Sequence, residues 1–349
     1  YTPATGILPL REAVARRTLA TTGVEVSPEN VAIVPGGKVT MFAAILMFGE
    51  PGADILYPDP GFPIYRSMIE FTGARPVPVP IREENGFAFS AEETLALITP
   101  QTRLLIVNSP ANPTGGVTPR AEIEKLVAGL ERFPQVAILS DEIYDVMTYD
   151  GQEHVSLLTF PSIRDRLILL NGWSKTWAMT GWRMGWSIWP TPLYDKVRKL
   201  AVNCWSCVNA PAQFAGIAAI DGPQDDVETM MRAFDRRRRV VVEGLNCPEF
   251  PAARRRARST PSRMSRRRAG RPRSSPPPCS RRPASPRSAA RISAFMARAI
   301  SAFPTPIRKK TSARRSAASA TSCRAATTEP PLQSLLEPMV GEGIVVVAG

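Results

Sequence analysis

Lys175 and Arg183 stand eight residues apart in the stretch from Leu167 to Gly185, which opens as an apolar run and passes through the turn Asn171-Gly172-Trp173-Ser174. A lysine just past a buried strand can be desolvated. Its pKa then falls and the free amine becomes a nucleophile toward a carbonyl carbon. Arg183 stays charged and presents a planar fork suited to phosphate. A Schiff-base lysine beside a phosphate-binding arginine is what pyridoxal phosphate (PLP) requires. Alone, the segment fits a surface lysine and a structural arginine as well.

Other residues carry chemistry that would complement this pair. Asp141, in Leu139-Ser140-Asp141-Glu142, follows an apolar strand; a carboxylate there can pair with a protonated pyridine nitrogen, or it can serve as an acidic helix cap. Tyr144, three residues on, is either a hydrogen-bond partner for a ring hydroxyl or a core residue. Asn112 belongs to Asn112-Pro113-Thr114-Gly115, which by itself is ordinary turn chemistry. Gly36-Gly37-Lys38 marks a strand-to-helix junction, where backbone N–H groups can receive a phosphate and glycine lets it approach. Phe62, in Pro60-Gly61-Phe62-Pro63, reads as a core aromatic on its own terms.

In this order, from Tyr1 to about Asn246, these motifs resemble the class I and II aminotransferases, the aspartate aminotransferase-like members of the fold type I PLP enzymes. The resemblance implies a mostly parallel α/β large domain with helices on both faces and a small α/β domain that is incomplete here. It implies that Lys175 forms the Schiff base, that Asp141 pairs with the ring nitrogen, and that Tyr144 and Asn112 reach the ring hydroxyl. It further implies that Phe62 stacks on the ring and that Gly37, Lys38, Ser174 and Arg183 hold the phosphate. Tyr1 would reach the phosphate of a neighbouring subunit, so the site would be shared across a homodimer. The implied activity is ping-pong transfer of an amino group from an α-amino acid to a 2-oxo acid, in amino-acid metabolism. β-Lyase or decarboxylase chemistry on the same fold, and a catalytically dead relative, are the alternatives. There are departures. Gly172 stands three before the lysine, where some relatives carry a phosphate-binding Ser. The glycine-containing substrate segment that should precede Tyr1 is missing, and no arginine has the context of the one that grips the substrate α-carboxylate.

Positioning these residues is the work of short apolar runs alternating with amphipathic stretches, the pattern of a βα protein with a mostly parallel sheet. Strands are expected at Val31–Pro35, Asp54–Tyr57, Leu104–Val107, Val136–Leu139 and Leu167–Leu170, with helices over Val39–Phe48 and Leu126–Phe133. The candidate residues then fall at or just beyond C-terminal strand ends, the edge where open α/β sheets bind ligands.

The composition excludes several alternatives. The single histidine, His154, lies in a polar turn and reads as a solvated loop residue; it argues against Ser-His-Asp, Cys-His and multi-His metal chemistry, so no metal is expected. Five cysteines without framework spacing fit a reducing, cytoplasmic setting. Cys204 and Cys207 form C-x-x-C on an apolar stretch that does not suit a redox pair. No apolar run is long enough for a membrane span. The chain begins at Tyr1, which suggests a fragment.

Its formal net charge of +13 comes from one segment. Residues 1–249 carry 23 Lys and Arg against 28 Asp and Glu, residues 250–328 carry 21 against none, and the last 21 residues add three Glu. A domain of 1–246 is therefore expected to give way to an Arg/Ser/Pro/Ala-rich segment over 247–328, with 329–349 a remnant of the small domain that ends in a strand over Gly343–Gly349. Basic tracts can bind nucleic-acid backbones, but this one lacks interleaved aromatics. The segment is better explained as a frameshifted translation, because GC-rich DNA read out of frame yields Arg, Ala, Pro and Ser codons. Translating the encoding DNA in its other two frames should restore apolar-patterned sequence and, past Gly349, the absent carboxylate-binding arginine; two frames without such sequence would establish a genuine basic segment.

Overall fold

A computed structural model of the chain describes residues 1–246. The segment expected over 247–328 and the remnant over 329–349 lie outside the described residues. Seven strands build one sheet: β1 (Val31–Val34), β2 (Asp54–Asp59), β3 (Arg75–Pro80), β4 (Thr102–Asn108), β5 (Ala137–Asp141), β6 (Leu167–Gly172) and β7 (Gly185–Ile188). Their order is β1-β7-β6-β5-β4-β2-β3. β7 runs antiparallel to both neighbours, and the remaining pairings are parallel.

The central strands are apolar at nearly every position, and both of their faces are covered. Alternate residues enter two separate cores. Ile33, Leu105, Val107, Ile138, Leu167 and Leu169 face one core; Ala32, Leu104, Ile106, Leu139, Ile168 and Leu170 face the other. Against the first face pack α1 (Leu8–Thr22), through Leu10 and Val14, and α5 (Arg120–Leu130), through Ile123, Leu126 and Leu130. α8 (Ala210–Asp221) joins them through Ala212. The second face carries α2 (Lys38–Phe48), α3 (Ile64–Phe71) and α7 (Thr191–Cys204), through Met41, Ile45, Tyr65, Ile69 and Val197. The expected α/β arrangement with helices on both faces is therefore present. Two short helices, α4 (Ala91–Ala96) and α6 (Trp173–Thr176), and the long α9 (Asp225–Asn246) complete the described α-helices. Among the described residues, no helix is long and apolar enough to cross a membrane.

Two strands were not apparent in the sequence. β3 alternates Pro76, Pro78 and Pro80 with Val77 and Val79, and proline has no N–H to give a ladder. It is accommodated because β3 is an edge strand, paired only with β2. β7 is only four residues long, yet it determines the site. The chain reverses after α6, so Gly172 of β6 lies opposite Gly185 of β7. A Cβ on Gly185 would stand 2.7 Å from the Gly37 nitrogen, so only glycine lets this strand close against the Gly36-Gly37 turn.

His154 requires correction. Far from being solvated, its side chain is 11% exposed and its Nε2 lies 3.0 Å from Glu142 Oε2. The other oxygen of buried Glu142 accepts from Ser140 Oγ at 2.7 Å and Leu157 N at 3.1 Å. A buried carboxylate needs partners, and that need draws the histidine inward. Burial opposes the charged imidazole, but the hydrogen bond and negative charge of Glu142 outweigh it and raise the His154 pKa overall. A raised histidine stabilises the fold fully below its unfolded value, near 6.5, and that contribution is lost as pH rises through the folded value. His154→Ala should therefore cost about 1–3 kcal/mol at pH below about 6.5. Thermal unfolding across pH should show the gap from wild type narrowing toward alkaline pH, and a gap independent of pH would contradict this role.

Candidate active site

At the C-terminal edge of the sheet a cavity of about 210 Å³ is lined by Gly37, Lys38, Phe62, Asn112, Asp141, Tyr144, Ser174, Lys175 and Arg183. Nine of the ten candidate residues from the sequence thus share one cavity. The tenth, Tyr1, is fully exposed and does not line it. Met41, Ile143, Leu170 and Thr180 complete the wall, and the sequence had not singled these out.

Each residue is placed by the element before it. β1 ends at Val34, and Gly37 caps α2, so the N-terminus of that helix, with Gly37 and Lys38, forms part of the cavity wall. Gly36 is left-handed at φ +89°, and a Cβ there would collide with the Arg183 guanidinium. Arg183 itself adopts φ +53° and donates from Nη1 to the Thr180 carbonyl at 3.0 Å. A left-handed backbone is uncommon for arginine, and the short loop between α6 and β7 imposes it. Lys38 lies with its Nζ 5.2 Å from the centre of the Phe62 ring. One end of the cavity therefore gathers a helix N-terminus and two cations, a setting for a phosphate.

Strands β4 and β5 end level, with Asn108 beside Asp141 in the register. Asn108 donates to the Asp141 carbonyl at 3.0 Å, and its Oδ1 accepts from Asn112 N at 2.8 Å. That bond holds the loop carrying Asn112, whose Nδ2 reaches Tyr144 Oη at 3.3 Å. The Asn112 loop is thus anchored to the strand that bears Asp141, a link the turn motif alone did not reveal.

Asp141 is 2% exposed. Its Oδ2 accepts from Tyr65 Oη at 2.6 Å and its Oδ1 from Ile143 N at 3.3 Å. Among the described residues no cation pairs with it. Burial pushes its pKa up to about 6, against the lowering effect of these two hydrogen bonds. Lys175, placed by α6 directly after β6, is lowered by desolvation, and its Nζ sits 5.4 Å from the centre of the Tyr144 ring. The site thus has an amine biased toward its free base and a buried carboxylate without a counter-charge. A second cavity of about 470 Å³ shares Asn112, Tyr144 and Lys175 and extends past Tyr149 and Asp150 to Arg238 of α9.

Comparison with known proteins identifies the family and the fold. Residues 1–257 match the family model for aminotransferase class I and II. The arginine–pyruvate transaminase of Pseudomonas aeruginosa is 38% identical over 245 residues, covering 70% of this chain and 62% of that protein. An aspartate aminotransferase of Streptomyces avermitilis is 37% identical over 256 residues, 71% of this chain and 62% of its own length. Among solved structures, the aspartate aminotransferase from Rhizobium meliloti superposes with a TM-score of 0.68 at 32% identity, covering 70% of this chain and 62% of that one. The chain spans about three-fifths of the length of these relatives, and its sheet with helices on both faces is the aspartate aminotransferase-like fold type I architecture. By the family model that spans residues 1–257 and by these relatives, the chain belongs to the class I and II aminotransferase family.

Proposed function

We propose that this chain carries the cofactor site of a PLP-dependent aminotransferase, which moves an amino group from an α-amino acid to a 2-oxo acid. The observation that carries the reading is one cavity holding a desolvated lysine, a carboxylate buried with no cation beside it among the described residues, an aromatic face and a cationic helix N-terminus. A phosphorylated pyridine aldehyde complements all four. In this reading residues 1–246 are the large domain and the remainder belongs to an incomplete small one.

Gly37, Lys38, Ser174 and Arg183 would hold the phosphate, Phe62 would cover the ring, and Asn112 with Tyr144 would take its hydroxyl. When bound, PLP supplies an aldehyde for amines and an electron sink for charge at the substrate Cα. Lys175 would hold the aldehyde carbon covalently, with loss of water, and burial lowers the pKa of its amine, which favours that role. Lys175, once its amine is free again, would be the group that moves a proton at the substrate Cα. Asp141, as an anion, would keep the ring nitrogen protonated and so preserve the sink. Release of the first oxo acid before the second binds gives ping-pong kinetics.

The adjoining cavity beside Lys175 offers room for the substrate. The relatives named for aspartate and for arginine–pyruvate support amino-acid and oxo-acid substrates as a class. A homodimer is part of the reading, with Tyr1 offered to the neighbouring site, and so is a cytoplasmic location, in keeping with cysteines that show no disulfide framework.

The test is chemical. After incubation of the chain with PLP and reduction with borohydride, peptide mapping should find the pyridoxyl group on Lys175. Lys175→Ala should leave no reduced adduct. An adduct on another lysine would overturn the assignment.

A further inference from the structure

The side-chain support of Asp141 comes from a residue that the proposed function does not use. Tyr65 sits in the first turn of α3, at 0% exposure, and its Oη donates to Asp141 Oδ2 at 2.6 Å across 76 residues of sequence. Asp141's other hydrogen bond is to the nearby Ile143 N, at 3.3 Å. The Tyr65 ring meets Phe62 edge to face, with centroids 6.1 Å apart and planes at 79°. One turn after β2 thus presents Phe62 to the cavity wall and sends Tyr65 behind it to the carboxylate.

Phenylalanine would fill the same core space without introducing a hydroxyl that must be bonded once buried. The hydroxyl here donates to the carboxylate at the head of the cavity. We infer that Tyr65 is a positioning residue, whose O–H fixes the rotation of the Asp141 carboxylate and favours its ionised form, so that a cationic ring nitrogen meets an oriented anion. This rests on the reading of Asp141 given above and extends it to a residue outside the cavity.

The electrostatics agree. Tyr65 is raised well above the usual phenol value by burial and by the charge of Asp141, so it remains a donor throughout the working pH range. Its bond lowers Asp141, while burial and the neighbouring charge of Glu142 raise it. Glu142 and Tyr144 follow Asp141 on the same loop, Tyr65 approaches from α3, and Lys38, Lys175 and Arg183 line the same cavity. Of these, Tyr65 alone hydrogen-bonds the carboxylate.

The test uses the full chain without cofactor, with aspartate carboxyl carbons labelled with 13C and the Asp141 signal identified by its loss in Asp141→Asn. In Tyr65→Phe the midpoint of the Asp141 titration should move to higher pH, because a charge-assisted bond that favours the anion by roughly tenfold or more is gone. Fluorotyrosine in place of tyrosine, with a more acidic hydroxyl, should move the midpoint the other way and leave the packing intact. An unchanged midpoint in either protein would overturn the inference. Borohydride trapping on Lys175 in the same samples, after PLP is added, reports on the proposed function separately: its failure there, with the midpoints shifted as expected, would count against the cofactor reading and not against Tyr65.

Discussion

The site is organised around a buried negative charge that has no partner of opposite sign among the described residues. Asp141 closes β5 inside the protein, and burial pushes its carboxyl up to about 6 from an ordinary value of 3.8. A carboxylate raised in the folded state contributes its stability below the unfolded value and loses it as pH rises through the folded one. Near neutral pH the ionised side chain is therefore a cost to the chain, and a cation brought into the cavity would offset it. The described residues supply hydrogen bonds instead, from Tyr65 and from the backbone of Ile143. An environment of this kind specifies the charge of what binds it.

The fold explains why the complementary groups lie close by. β1, β2, β4, β5 and β6 run parallel, so the loops after them deliver Gly37, Phe62, Asn112, Asp141 and Lys175 to one edge. Arg183 arrives by a different route. It precedes β7, which runs antiparallel, and the reversal returns the chain to the edge it has just left. Gly185 permits this by letting β7 approach the Gly36-Gly37 turn backbone to backbone. The phosphate end of the cavity thus depends on one antiparallel strand in an otherwise parallel sheet.

Much of this was legible in the sequence because a central parallel strand has to be apolar on both faces. Runs such as Leu104–Val107 and Leu167–Leu170 marked the strands, and polar residues just past them marked the site. What escaped notice lacked that signature. β3 hides behind prolines that only an edge strand tolerates, and β7 is too short for any period. His154 looked solvated because its immediate neighbours are polar, whereas its position is decided by buried Glu142, twelve residues away. Tyr65 was unmarked because its partner is 76 residues distant. Its spacing of three from Phe62 was the one local clue that both belong to the same turn.

The central claim is that Asp141 meets a protonated ring nitrogen, and nitrogen magnetic resonance of bound PLP labelled with 15N in the ring addresses it directly. With the wild-type chain near neutral pH, the shift should be that of a pyridinium, and in Asp141→Asn it should move to that of a neutral pyridine. A neutral nitrogen in the wild type, or a pyridinium that survives Asp141→Asn, would contradict the account.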